Sequence, residues 1–74
     1  MINSTTLSGY TVKYESDDDK ISYGVDYLYK LNSSEGETLI SAAKSIGEAS
    51  FNNGDGYHFG LVPQDSGFML ISKN

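Results

Sequence analysis

The side chains that could support catalysis are few in this sequence. His58 is the only histidine, there is no cysteine, and no serine and aspartate stand in an arrangement that would form a nucleophilic triad with it. His58 alternates with Tyr57 and Phe59, which predicts that it lies on a strand and faces the side of the sheet opposite to both rings. The sequence therefore predicts a protein that is not an enzyme and has no catalytic residues.

Oxygen ligands for a hard metal ion occur in two segments. Asn53 and Asp55 match the start of a calcium-binding loop, but the twelfth position counted from Asn53 is Gln64 and not the Glu that such a loop requires. The consecutive carboxylates of Asp17–Asp19 point in different directions on an extended loop and do not converge on one ion. We therefore expect no metal and no cofactor.

The charge balance favours a protein partner over a nucleic acid. Five lysines and no arginine stand against ten acidic residues, which gives a net charge of -5. Because arginine is the usual ligand for phosphates and base edges, and because the net field repels them, direct binding of DNA or RNA is disfavoured. The acidic balance suits a partner with a basic surface. The alternative, that the charge only maintains solubility, stays open.

The sequence contains no signal for a membrane. No run approaches the roughly 18 apolar residues of a membrane-spanning helix. The first residues, MINSTTLSG, lack the basic and apolar regions of a signal peptide. We therefore expect a cytoplasmic protein that does not contact a membrane.

A period-two pattern over Ile21–Leu31 is the strongest structural signal. Alternate positions are apolar or aromatic, as on a β-strand with one apolar face: Ile21, Tyr23, Val25, Tyr27, Tyr29 and Leu31. A first strand is predicted over Leu7–Glu15, after a frayed start at Met1–Thr6. The acidic segment Ser16–Lys20 would form the loop of a hairpin between the two strands.

A single helix is predicted over Ser34–Ser50. Ser34 and Glu37 match a capping box, in which each side chain accepts a hydrogen bond from a backbone amide at the start of the helix. Apolar residues at three- and four-residue spacings form the stripe that would be buried: Leu39, Ala42, Ala43, Ile46 and Ala49.

The predicted fold is a single α+β domain over residues 1–74 with the element order β-β-α-β-β. After a turn at Asn52–Gly56, two further strands are predicted over Tyr57–Val62 and Phe68–Ser72. Two hairpins joined by one helix predict a two-layer architecture, with a four-stranded antiparallel sheet and the helix packed on one face.

This arrangement leaves apolar surface uncovered in two places. The long predicted strand spans about 36 Å and the predicted helix about 25 Å, so some tyrosines would extend beyond the helix. Apolar side chains also occupy both faces of the last strand at Phe68, Met69, Leu70 and Ile71. The uncovered pair, either Met69 with Ile71 or Phe68 with Leu70, predicts an interface in a homodimer or with a partner.

The remaining surface features suit a binding protein. The residues predicted to contact a partner are four carboxylates at the tip of the first hairpin and three rings of the long strand: Glu15, Asp17, Asp18, Asp19, Tyr23, Tyr27 and Tyr29. In size, acidic charge and strand order the chain resembles the small inhibitors that phages make against host defence, anti-CRISPR proteins among them. The resemblance implies an inhibitor, in the host cytoplasm, that docks on a basic surface of a larger nucleic-acid-handling protein. The alternative is a homodimeric assembly module without inhibitory activity, joined through Phe68–Ile71.

Overall fold

Two helices lie on one face of a five-stranded sheet in the computed structural model, which describes residues 1–73. The strands are β1 (Ile2–Leu7), β2 (Tyr10–Glu15), β3 (Ala49–Asn52), β4 (His58–Gln64) and β5 (Gly67–Ser72), and the helices are α1 (Ile21–Tyr29) and α2 (Ser33–Ile46). The order of strands across the sheet is β1-β2-β5-β4-β3. Neighbouring strands pair antiparallel except β2 and β5, which run parallel.

The α+β class is confirmed, whereas the predicted four-stranded antiparallel sheet with one helix is wrong in detail. The sheet is mixed and has five strands, and a second helix is present. The predicted first hairpin, in which Leu7–Glu15 pairs with Ile21–Leu31 around the acidic segment, is wrong, because its second strand is largely a helix. The first hairpin of the structure joins β1 to β2, and it meets the β4–β5 hairpin at the parallel pair of β2 and β5.

The largest difference concerns the long strand predicted over Ile21–Leu31. Most of this segment, Ile21–Tyr29, forms the helix α1. A period of two and a period of 3.6 overlap here, because positions four residues apart belong to both patterns. Residues of both parities are buried under the helix: Ile21, Gly24, Val25 and Leu28. Tyr23 and Tyr29, which belong to the apolar face of the predicted strand, remain 46% and 69% exposed. The stripe at spacings of three and four residues therefore decides the structure.

Gly24 allows α1 to lie close to the sheet. A Cβ atom at this position would stand 2.9 Å from a ring carbon of Phe59 and 3.2 Å from a methyl carbon of Leu70. Both of those side chains are buried, on β4 and β5 respectively. Glycine weakens an isolated helix, but the close packing of α1 on the sheet requires it at position 24.

The chain start is a strand and not the frayed segment expected for Met1–Thr6. β1 pairs with β2 from Ile2 opposite Glu15 to Leu7 opposite Tyr10. The two-residue turn between them has positive φ at both positions, 51° and 83°, which fits the right-handed twist of a hairpin. The polar composition of the segment reflects its place at the edge of the sheet, where much of β1 faces water.

The capping box of α2 lies two residues earlier than predicted. The Asn32 side chain accepts a hydrogen bond from the Glu35 amide at 2.8 Å, and the Glu35 carboxylate accepts one from the Asn32 amide at 3.1 Å. Ser34 lies inside the first turn, so its predicted pairing with Glu37 is wrong. Asn and Ser are equally good cap residues, and the extended backbone of Asn32 is what determines the helix start here.

α2 also ends earlier than predicted, at Ile46 instead of Ser50. Gly47 adopts the left-handed conformation with φ of 94°, which ends the helix and turns the chain into β3. Ile46, predicted on the buried stripe, is 80% exposed, and Ala49 is buried in β3 and not on the helix. The buried side of α2 consists of Gly36, Ile40 and Ala43.

The core lies between the two helices and one face of the sheet. Its fully buried large side chains come from the three central strands: Val12, Phe59, Leu61 and Leu70. The last two predicted strands correspond to β4 and β5, with bounds that differ by at most two residues. We call the sheet face opposite the helices the open face; it carries Val62, Met69 and Ile71 along its centre.

Candidate functional site

The acidic loop between β2 and α1 is partly neutralised within the chain. The ammonium group of Met1 forms ion pairs with Glu15 and with Asp17, the latter at 2.6 Å. Hydrogen bonding to Asp17, and next to Glu15, raises the pKa of the Met1 ammonium, and the same contact lowers the pKa of the Asp17 carboxyl. Two of the four carboxylates predicted to meet a partner therefore already contact a cation.

Asp18 and Asp19 organise the start of α1. The Asp18 carboxylate accepts a hydrogen bond from the Lys20 amide at 2.9 Å, and the Asp18 carbonyl accepts one from the Ile21 amide at 3.1 Å. The Asp19 carbonyl accepts a hydrogen bond from the Ser22 hydroxyl at 2.9 Å. Asp19 is exposed to solvent. This loop adds negative charge beside α1, and its own contacts are structural.

The three tyrosines predicted to share a contact surface lie on two sides of α1. Tyr23 stacks on Tyr57, with ring centroids 4.9 Å apart and ring planes 9° apart. Tyr27, one turn later, stacks on Phe51 of β3 at 4.9 Å. Tyr29 leans instead over β1, where its hydroxyl oxygen accepts a hydrogen bond from a strand side chain at 3.1 Å. The placement of all three rings on one face is therefore wrong, because the segment is a helix.

Two asparagine side chains hold the β3–β4 loop in its conformation. The Asn52 side-chain oxygen accepts a hydrogen bond from the Gly54 amide at 3.1 Å. The Asn53 side-chain oxygen accepts hydrogen bonds from the amides of Asp55 at 3.0 Å and Tyr57 at 3.4 Å. These turns set the Tyr57 ring against α1 and leave Asp55 exposed.

Between α1 and this loop lies a small hollow of about 130 Å³, which we call the tyrosine hollow. Its lining residues are Tyr23, Asp26, Tyr27, Lys30, Asn53 and Asp55. Asp26 and Asp55 are exposed, and nearly half of Tyr23 is exposed. Its floor is anchored, because Tyr27 stacks on Phe51, which in turn stacks on a fully buried core ring at 5.6 Å. The hollow thus combines two carboxylates and one ammonium with an aromatic surface.

The sequence interpretation missed Asp26 and Asp55 as site residues. A helical pattern would have indicated Asp26, because Tyr23, Asp26, Tyr27 and Lys30 recur at three- and four-residue spacings on one side of α1. Asp55 belongs to a turn remote in sequence from α1, and no local pattern links the two.

A second polar cluster lies on the open face. The Lys73 ammonium contacts the Glu48 carboxylate and donates to the Ser50 hydroxyl at 3.1 Å, while that hydroxyl donates to Glu48 at 3.0 Å. The contact with Lys73, and next that with Ser50, lowers the pKa of Glu48. The cluster is therefore an ion pair bridged by the Ser50 hydroxyl. His58 is exposed on a strand position adjacent to the buried Phe59, in agreement with the alternation in sequence.

The homodimer interface predicted over Phe68–Ile71 is divided between two faces of β5. Phe68 and Leu70 are buried in the core, with 3% and 1% exposure, so they are not available to a partner. Met69 and Ile71 are half-buried on the open face. Of the two alternatives left by the sequence, the uncovered pair is Met69 with Ile71.

Residues 1–73 contain no cluster of metal ligands and no helix that could span a membrane. Among residues 1–73, no group of three His, Asp or Glu side chains converges to hold a metal ion. Neither α1 nor α2 is long and apolar enough to cross a membrane, and the described residues contain no other α-helix. Comparisons with protein-family models, curated proteins and solved structures gave no match to this chain.

Proposed function

We propose that this chain is a non-enzymatic binding protein that docks on a basic surface of a larger protein through the tyrosine hollow. One observation carries the proposal: the exposed Tyr23, whose ring stacks on Tyr57, lines the same hollow as Asp26 and Asp55. Tyrosine is enriched at the centre of protein interfaces, and carboxylates steer the approach of a basic partner.

The lining of the hollow suits an arginine or lysine side chain of the partner. A guanidinium or ammonium group against the Tyr23 ring would gain a cation–π contact. The carboxylates of Asp26 and Asp55 would add charge-assisted hydrogen bonds. Lys30 at the same hollow opposes a second cation, so we expect one basic side chain to enter and others to contact the surrounding acidic surface.

The surroundings of the hollow reduce the cost of binding. Asn53 holds the β3–β4 loop through three hydrogen bonds, counting the one that its amide donates to the Tyr57 carbonyl. Tyr27 is fixed by its stack on Phe51. Side chains that are already ordered lose less conformational entropy when a partner binds.

The wider charge distribution supports an inhibitor of a nucleic-acid-handling protein. A net charge of -5 on 74 residues favours approach to the basic channels that such proteins present to phosphates. An acidic protein that occupies such a channel competes with the nucleic acid for the same cationic side chains. We assign the acidic loop at Asp17–Asp19 a steering role, since its internal contacts leave less charge for direct pairing.

The proposal is tested with an oligo-arginine peptide followed by NMR amide shifts of the protein. We expect shifts centred on Tyr23, Asp26 and Asp55, and affinity about tenfold weaker in the double variant Asp26→Asn/Asp55→Asn. The matched control, Glu37→Gln/Asp65→Asn, removes the same charge from exposed positions elsewhere and should bind nearly as well. If both variants lose affinity for the peptide equally, binding depends only on net charge, and the proposal of a specific site is refuted.

Competition with a nucleic acid tests the inhibitory part. A labelled DNA duplex bound to the same peptide should be released by the native protein, read as a fall in fluorescence anisotropy. The double variant should require about tenfold more protein for the same release. If the protein binds the peptide without displacing DNA, the binding site stands and the inhibitory mechanism fails.

A further inference from the structure

The two edges of the sheet differ in their protection against pairing with another strand. β3 is only four residues long and lies beside the ion pair of Glu48 with Lys73. β1 is six residues long and contains neither proline nor a charged side chain. No charged side chain occurs in the sequence before Lys13. Natural sheets protect open edges with charges, proline, bulges or short strands, and β1 has none of these.

The hydrogen bonds of β1 show which of its backbone groups point outward. The Met1 carbonyl accepts a hydrogen bond from the Ser16 amide at 2.8 Å, and a two-residue turn closes the hairpin beyond Leu7. In an antiparallel pair, alternate residues bond to the neighbouring strand, so the odd-numbered residues of β1 bond to β2. The amides and carbonyls of Ile2, Ser4 and Thr6 therefore point away from the sheet.

We infer that two copies of this chain pair antiparallel through these outward groups of β1. The register that uses all of them places Ser4 opposite Ser4 of the second copy on the two-fold axis, and Ile2 opposite Thr6 on either side. Each such pair exchanges two backbone hydrogen bonds. The product is one continuous sheet of ten strands, with all helices on the same side.

The surroundings of the edge favour a second copy as its occupant. With a net charge of -5, two copies repel each other wherever acidic groups meet. The β1 edge is the exception, because its strand carries no charged side chain and this register is self-complementary. Ile2, 52% exposed, would pack on the open face of the seam, and Tyr29, 69% exposed, would cover the seam on the helix side.

The response to salt separates this inference from the proposed function, on which it does not rest. Added salt screens the repulsion between two acidic copies and should strengthen the dimer, whereas it should weaken docking on a basic partner. One strand pair buries less surface than a standard interface, so the dimer is expected to be a weak one.

Sedimentation equilibrium provides the first test on the native chain. The average mass should rise from 8.1 kDa towards twice that value between about 0.01 and 1 mM protein, more steeply at higher salt. Hydrogen exchange at the amides of Ile2, Ser4 and Thr6 should slow over the same range. A constant mass of 8.1 kDa throughout would overturn the inference. The β1 edge would then be available only to a strand of another protein.

A charge swap at Ser4 tests the register. Ser4→Lys and Ser4→Glu each set like charges opposite each other on the two-fold axis, so each variant should remain monomeric while a mixture of the two forms a heterodimer. The side chain of Ser4 is exposed, so both variants should keep the native circular dichroism spectrum. The control Ser41→Lys makes the same charge change on the exposed side of α2 and should dimerise like the native chain. Dimerisation of Ser4→Lys alone, or no heterodimer in the mixture, would refute this edge.

Discussion

Replacing Gly24 by alanine tests whether α1 is pressed onto the sheet at this residue. In an exposed helix interior, glycine is about 1 kcal/mol less favourable than alanine, so the substitution would normally stabilise the protein. At Gly24 the new Cβ would lie 2.9 and 3.0 Å from two ring carbons of Phe59 and 3.2 Å from a methyl carbon of Leu70. Because real Cβ atoms essentially never have a contact shorter than 3.0 Å, the contact at 2.9 Å requires something to shift.

The neighbours of Gly24 have little room to move. Phe59 is 0% exposed and Leu70 is 1% exposed, and Phe59 is further held by its stack on Phe51. Overpacking of a closely packed core costs typically about 1–3 kcal/mol. After the gain in helix propensity is subtracted from this cost, we expect Gly24→Ala to destabilise the fold by about 1 kcal/mol. This corresponds to a fall in Tm of about 4–8 °C for a domain of this size.

The assay is thermal and urea unfolding followed by far-ultraviolet circular dichroism. The control is Ser45→Ala, an exposed position on α2 that should raise stability by a few tenths of a kcal/mol. A rise in Tm for Gly24→Ala comparable to or larger than that of the control would refute the close contact.

Four further substitutions test other parts of the structure, each by thermal unfolding. Asn32→Ala should cost about 1 kcal/mol through loss of the α2 cap, whereas Ser34→Ala should be nearly neutral; the reverse order would restore the predicted cap. Gly67→Ala should destabilise more than Gly24→Ala, because its Cβ would stand 2.5 Å from a backbone oxygen of β2 that cannot rotate away; equal Tm values would contradict this. Glu48→Gln should make Tm fall less on acidification. Contact with Lys73 lowers the pKa of Glu48 from 4.5. The stability that the Glu48 carboxylate contributes is therefore present above pH 4.5 and is lost as the pH falls through the lowered pKa. An unchanged dependence of Tm on pH would show that the ion pair of Glu48 with Lys73 does not contribute to stability.

The parts of the fold that sequence could predict are those specified by local chemistry. β2, β4 and β5 follow from short apolar runs bounded by turn residues, and the turn over Asn52–Gly56 follows from asparagine and glycine. The helix over most of Ser33–Ile46 follows from its apolar spacing. In each case the signal lies within a few residues of the structure it determines.

The parts that could not be predicted depend on contacts remote in sequence. Ile21–Tyr29 fits two periods, and the helix is selected by the packing of its stripe, which includes Gly24, against the sheet. β1 is too polar to resemble a strand and is ordered by its pairing with β2. The tyrosine hollow depends on Asp55 meeting α1 across the fold, and a strand pattern over Ile21–Leu31 does not single out Asp26.

The parallel contact between β2 and β5 determines the order in which the molecule can assemble. The pairing of Val12 with Phe68 joins the two ends of the chain, whereas β1 with β2, and β4 with β5, join neighbouring segments through tight turns. Closing the long loop that contains both helices costs chain entropy before its contacts are gained, so the two hairpins should form first and the seam between them should limit the folding rate. Because the β1–β2 turn is already closed when the seam forms, substitutions at this turn and at Val12 should both mainly slow folding.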